Sequence, residues 1–168
     1  LIRTIDLKRG NKVATLEIAG LEPPAQPAPA EVKPNFAGAV KVDLAAAELK
    51  PLDGKIKLQI VLKLPEGYKL NEAAPLRYLV ESADAGGCVS REVLSKFVTV
   101  KEPATSFDIE LPVSKRTGRD RLAISLGYYY CQEGAEGVCK AASVVWHLPL
   151  KVSDSGTEAA SLPYQVPN

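Results

Sequence analysis

Lys55-Ile56-Lys57-Leu58-Gln59-Ile60-Val61-Leu62-Lys63-Leu64 decides the fold class of this chain. Apolar residues stand at every even position, with Lys57, Gln59 and Lys63 among the residues between them. Successive strand side chains point to opposite faces, so a period of two predicts a strand with one face in a core and one in water. Weaker strand signals recur at 39–44, 76–81, 96–100, 106–113, 122–131 and 139–152. Pro51-Leu52-Asp53-Gly54, Pro65-Glu66-Gly67-Tyr68 and the stretch from Lys115 to Asp120 supply turn chemistry between them. Short strands with regular punctuation and no long amphipathic helix predict an all-β antiparallel sandwich. The segment 43–49 is expected to add a single helical turn.

Outward from that sandwich the composition changes. Ile2-Arg3-Thr4-Ile5-Asp6-Leu7 and Val13-Ala14-Thr15-Leu16-Glu17-Ile18 read as two short strands around Lys8-Arg9-Gly10-Asn11. A lone hairpin is marginally stable in water, so this one is expected to lean on something else. Four prolines then fall within the eight residues from Pro23 to Ala30, a composition that favours an extended spacer. The expected organisation is a hairpin over 1–22, a Pro-rich linker over 23–34, a sandwich over 35–152 and a tail or edge-covering strap over 153–168.

The 168 residues suffice for one domain with a small appendage. Lys and Arg number 21 against 20 for Asp and Glu, a balance that offers no basic excess to attract a phosphate backbone. Nucleic acid is therefore not an expected partner. No stretch approaches the ~18 uninterrupted apolar residues of a membrane helix, so this fragment is expected to make no membrane contact. The chain opens Leu1-Ile2-Arg3 and contains no Met, as expected of a piece of a longer protein.

The chemistry that stands out is a cysteine pair. Tyr128-Tyr129-Tyr130 runs into Cys131, seven residues follow, two of them Gly, and Cys139 opens the next strand. In antiparallel strands a non-hydrogen-bonded pair has Cα atoms about 4.5 Å apart, which a disulfide can span. Three readings stay open: a structural clip, a dithiol that cycles with a partner thiol, or a reduced pair that is inert or ligates a metal. Zinc suits the pair poorly, because four ligands are usual and the only His, His147, lies eight residues beyond Cys139 on the same strand. Glu133 and Glu136 in the loop disfavour a thiolate, and Lys140 beside Cys139 favours one.

Other candidates have plainer explanations. Cys88 follows Gly86-Gly87 in a loop and reads as a half-buried bystander. Gly86-Gly87 lacks the Lys-Ser/Thr ending and helix of a phosphate loop. Tyr128 and Tyr130 should share one face and Tyr129 the other; at least one of them could shield the cysteine pair, though core packing and surface exposure account for all three. Trp146 reads as a core anchor, which turns His147 to the opposite face as a surface residue. Glu81 and Asp84 form no recognisable acid–base pair, and the basic cluster at 115–121, interrupted by Asp120, reads as a solvated turn. No cofactor is expected.

Two resemblances add to this. The Tyr-rich strand entering Cys131, the Gly-containing loop, Cys139 opening the next strand, and Pro65-Glu66-Gly67-Tyr68-Lys69-Leu70-Asn71 resemble the amino-terminal, immunoglobulin-like domain of the thiol-disulfide interchange protein DsbD. That resemblance implies an immunoglobulin-like β-sandwich whose pair, Cys131 and Cys139, passes electrons to thioredoxin-like proteins, and a bacterial periplasmic setting. Ile2 to Leu7, Val13 to Leu16 and Gly20-Leu21 look like the last blade of an NHL-repeat β-propeller. Tyr128 to Cys131, Gly137-Val138-Cys139 and Val144 to Leu150 look like the carboxy-terminal β domain that follows such propellers, which implies a thioredoxin-like domain in the parent chain. The expected partners are that domain, or a separate thioredoxin-like protein, and the propeller. The expected function is thiol–disulfide exchange through Cys131 and Cys139, with a non-catalytic accessory sandwich as the alternative.

Overall fold

The computed structural model of the chain describes residues 3–6, 12–15, 36, 38–134 and 137–167. Two compact units divide it, 1–35 and 36–168. In the first, β1 (Arg3–Asp6) and β2 (Lys12–Thr15) pair antiparallel with Arg3 opposite Thr15. The turn at 8–11 and the Pro-rich linker lie outside the described residues.

The second unit is an all-β sandwich. Its larger sheet contains β3 (Val40–Asp43), β4 (Ala47–Leu49), β6 (Tyr68–Leu70), β7 (Arg77–Ser82), β8 (Phe97–Thr99), β10 (Gly118–Gln132) and β11 (Cys139–Val152). The spine is β10 against β11, antiparallel from Gly118 opposite Val152 to Cys131 opposite Cys139. β3 and β4 follow one another along the free edge of β11, and β6 and β7 line the free edge of β10. The smaller sheet is β12 (Ala159–Gln165), β5 (Lys55–Lys63) and β9 (Ser106–Pro112).

Period-two burial runs as the opening stretch predicts: Ile56, Leu58, Ile60 and Leu62 of β5 are buried between residues that are not. They pack with Ile109, Leu111 and Leu162 of their own sheet and with Leu122, Ile124, Leu126, Val144 and Trp146 of the larger one. Trp146 is fully buried, and its Nε1–H donates to the Pro163 carbonyl at 3.0 Å, tying β11 to β12. That bond satisfies the indole donor which burial would otherwise strand. Asp53 and Gly54 both take positive φ, 49° and 75°, in the two-residue turn that starts β5, with Leu52 and Lys55 exchanging hydrogen bonds across it.

Three expectations change. The sandwich is mixed rather than wholly antiparallel, since β3 and β4 run parallel to β11, and β12 runs parallel to β5. The helical turn over 43–49 is replaced by β3 and β4, whose backbones bond to β11; Ala45, Ala46 and Ala47 favour a helix, but pairing with a buried strand outweighs propensity. Residues 159–165 form an edge strand, so the sandwich extends past 152.

Asp120 is the one buried carboxylate among the described residues, only 2% exposed. Its Oδ1 accepts from the Ser82 hydroxyl at 2.5 Å and the Arg121 amide at 2.9 Å, and its Oδ2 accepts from the Val89 amide at 3.2 Å. The solvated turn read at 115–121 thus hides a polar anchor that holds the 83–89 loop against the sheet. Arg91 adds a bond to the Ala85 carbonyl, and Lys115 one to Gly86 at 3.2 Å. Cys88 is buried outright rather than half-buried, and burial, helped by nearby Asp120, pushes its thiol pKa up. Gly87 presses so closely on Asp120 that a Cβ there would collide with the carboxylate, whereas one on Gly86 would meet open space. Gly87→Ala should therefore cost about 1–3 kcal/mol by urea denaturation, and Gly86→Ala no more than about 0.5 kcal/mol.

The Glu48 carboxylate clasps the start of the carboxy-terminal strap. Its Oε1 accepts from Ser153 at 2.6 Å, Lys151 at 2.9 Å and Ser155 at 3.2 Å. The Ser153 hydroxyl first, then the Lys151 ammonium, lower its pKa from 4.5 to about 2. A depressed folded pKa means a contribution fully present above the unfolded value and lost as pH falls through the folded one. NMR titration of the Glu48 carboxyl should give a midpoint near 2, and Glu48→Gln should remove this part of the acid sensitivity.

Candidate functional site at the mouth of the β10–β11 hairpin

β10 and β11 carry their pairing to one end of the larger sheet, and Cys131 opposite Cys139 is the last rung. The Gln132 amide donates to the Val138 carbonyl at 3.1 Å, so 132 and 138 are the hydrogen-bonded pair. Cys131 and Cys139 are then a non-hydrogen-bonded pair, the arrangement with the closer side chains. Their Cα atoms stand 4.0 Å apart and their sulfurs are bonded to each other at 2.06 Å. Cys139 is exposed and Cys131 half-buried.

Strand alternation places this bridge on the outer face of the sheet. Tyr128 and Tyr130 are 1% and 6% exposed and belong to the core, while Tyr129, between them, is 40% exposed on the face the sulfurs share. The expected split of the three tyrosines is what the structure has. Tyr130 stacks on Tyr128 at 5.9 Å and on Tyr68 at 5.4 Å between ring centroids. The Lys140 ammonium lies 5.2 Å from the Tyr68 ring centre and 5.9 Å from that of Tyr130, a cation–π contact on the inner side of the mouth. Aromatic packing therefore holds the hairpin end from within, and the disulfide sits outside it.

β6 completes the site. Gly67, with φ of 75°, closes the turn from Pro65, and Lys69 then pairs opposite Cys131, with Tyr68 opposite Gln132 and Leu70 opposite Tyr130. The Glu133 amide donates to the Gly67 carbonyl at 2.8 Å, fastening the start of the cysteine loop to this turn. A cleft of about 740 Å³ opens beside the strand. Leu62, Leu64, Leu70 and Pro103 give it apolar wall, and Lys69, Glu72 and Cys131 add polar groups. At the far side of the loop, Gly137 lies so close to the Gln132 carbonyl that no side chain fits.

The remaining candidates fall elsewhere. His147 is half-buried on the outer face, with Nδ1 2.9 Å from Asp43 Oδ1. Asp84 takes a two-pronged bond from Arg121, with Nη2 at 2.7 Å and Nε at 3.1 Å, and that guanidinium holds its carboxyl below the usual range. Neither joins the cysteines. No group of three His, Cys, Asp or Glu side chains among the described residues is placed to hold a metal ion. Lys69 escapes sequence reading, because a three-residue strand is too short to show a period. The one signal available was the Pro-Glu-Gly turn just before it.

The reactive group the geometry presents is the Cys131–Cys139 S–S bond, which a thiolate can attack. On the chain-entropy relation a bridge closing so short a loop adds about 2–3 kcal/mol. Replacing both Cys131 and Cys139 with Ser should lower unfolding stability by about that amount while leaving the fold in place, as read by denaturant titration and circular dichroism. Compared with family models and with curated proteins, the chain matches none.

Proposed function

We propose that this domain is a thiol–disulfide exchange module in which Cys131 and Cys139 alternate between disulfide and dithiol. The observation that carries the reading is the position of the bridge: it lies on the outer face, at the sheet end, with Cys139 exposed and Cys131 lining an open cleft. The strands it joins are already held by a long ladder and by the packed rings of Tyr68, Tyr128 and Tyr130, so the pairing has support besides the bridge. The resemblance to the DsbD amino-terminal domain supports the same reading and suggests a thioredoxin-like protein, or such a domain of the parent chain, as partner.

The exchange proceeds by thiolate attack. A partner thiolate approaches the exposed Cys139 Sγ, a new S–S bond forms, the Cys131–Cys139 bond breaks, and its electron pair leaves on Cys131 Sγ. The partner's second thiolate then attacks the partner half of the mixed disulfide and releases Cys139 as a thiolate. The partner is oxidised to a disulfide and this domain gains two electrons. Run backwards, the same steps reduce the partner.

Thiol counting after equilibration in glutathione buffers tests this. A midpoint between about −120 and −270 mV, the span of exchange proteins, is expected. A pair that remains oxidised below about −300 mV would behave as a structural bridge and leave an accessory role for the domain. Cys131→Ser should also capture, through Cys139, a thioredoxin-like protein that lacks its resolving cysteine and whose remaining cysteine is activated as a mixed disulfide with thionitrobenzoate, the thionitrobenzoate leaving as the Cys139 thiolate attacks.

A further inference from the structure

Strand register, not sequence neighbourhood, determines which cation stands beside the sulfurs. Lys140 follows Cys139 in the chain but pairs opposite Tyr130, and its ammonium is spent on the Tyr68 and Tyr130 rings. Lys69 is distant in sequence yet is the register partner of Cys131. Residues directly opposite on neighbouring strands point to the same face with Cβ atoms about 4.5–5.5 Å apart. A lysine's four-carbon arm covers that gap. Lys69 is exposed, so its ammonium is free to swing, and it lines the same cleft as Cys131.

We propose that Lys69 is a positioning residue for exchange: its ammonium stabilises the negative charge that develops on Cys131 Sγ as the bridge opens. This rests on the exchange reading above. When a thiolate bonds to Cys139 Sγ, the electron pair of the broken bond resides on Cys131, and the rate rises as that leaving thiolate becomes more stable. The charged and titratable groups beside Cys131 are Lys69 opposite it on β6, Cys139 opposite it on β11, Tyr68 and Glu72 in the lining of the same cleft, and Tyr129 and Glu133 two residues away in the chain. The two carboxylates oppose a thiolate, and Lys69 is the cation in register to offset them.

The test uses the whole chain and dithiothreitol, a thiol that is neutral when protonated. Lys69→Met should slow opening of the bridge by up to about fivefold and, at a pH where the Cys131 thiol is ionised, shift the equilibrium with dithiothreitol toward the disulfide by up to a similar factor, as for a half-solvated charge pair. Lys69→Arg should restore both values. Lys57→Met, which removes a lysine of the smaller sheet paired with Asp108 at 3.4 Å, should change neither. In a Cys139→Ser background, alkylation of Cys131 followed against pH by peptide mass should show a higher thiol pKa with Lys69→Met than with Lys69. A wild-type pair that exchanges readily while Lys69→Met matches it in rate, equilibrium and alkylation overturns the role of Lys69 and leaves the exchange reading standing. A wild-type pair that stays oxidised below about −300 mV overturns both.

Discussion

The register of β10 against β11 is the constraint on which the rest depends. Because strand side chains alternate, a slip of β10 by one residue would turn Tyr128 and Tyr130 out of the core and Cys131 into it, and a slip of β11 would do the same to Trp146 and Cys139. Burying that aromatic set fixes the register along the whole spine, and the sulfurs are carried into opposition at its end. The bridge is thus a consequence of core packing several rungs away. On this account the ladder and the core, rather than the bridge, hold the strands together.

The same alternation separates two jobs at the hairpin mouth. The inner side is structural, with three tyrosine rings in contact and a lysine capping two of them. The outer side carries the bonded sulfur pair, with Cys139 exposed and a second lysine in register with Cys131. Residues adjacent in sequence, Cys139 and Lys140, fall on opposite sides of this division. Elsewhere the polar groups serve architecture: Asp120 pins a loop, Glu48 clasps the strap, and Trp146 ties one sheet to the other.

Much of this is legible in the residues alone, and the limits are physical. A nine-residue alternation such as β5 declares itself, and so does the division of Tyr128, Tyr129 and Tyr130 between two faces. β6 does not, because three residues carry no period, and with it Lys69 is hidden. Parallel joins such as β12 on β5 depend on where the chain crosses between sheets, information that no local pattern holds. Asp120 sits among lysines and arginines that mark a surface turn, and only the folded loop over it turns that carboxylate inward. Ala45 to Ala47 speak for a helix, and the waiting edge of β11 overrules them.

The most direct measurement is the set of nuclear Overhauser contacts between α-protons across β10 and β11, taken on the oxidised and on the reduced protein. Non-hydrogen-bonded antiparallel pairs bring these protons close. Cross-peaks between Cys131 and Cys139, Tyr129 and Ala141, and Gly127 and Ser143 are predicted in both states, because packing and not the bridge sets the register. Loss of these cross-peaks on reduction, or their shift by one residue, would contradict that, and would mean that the disulfide itself holds the strands in place.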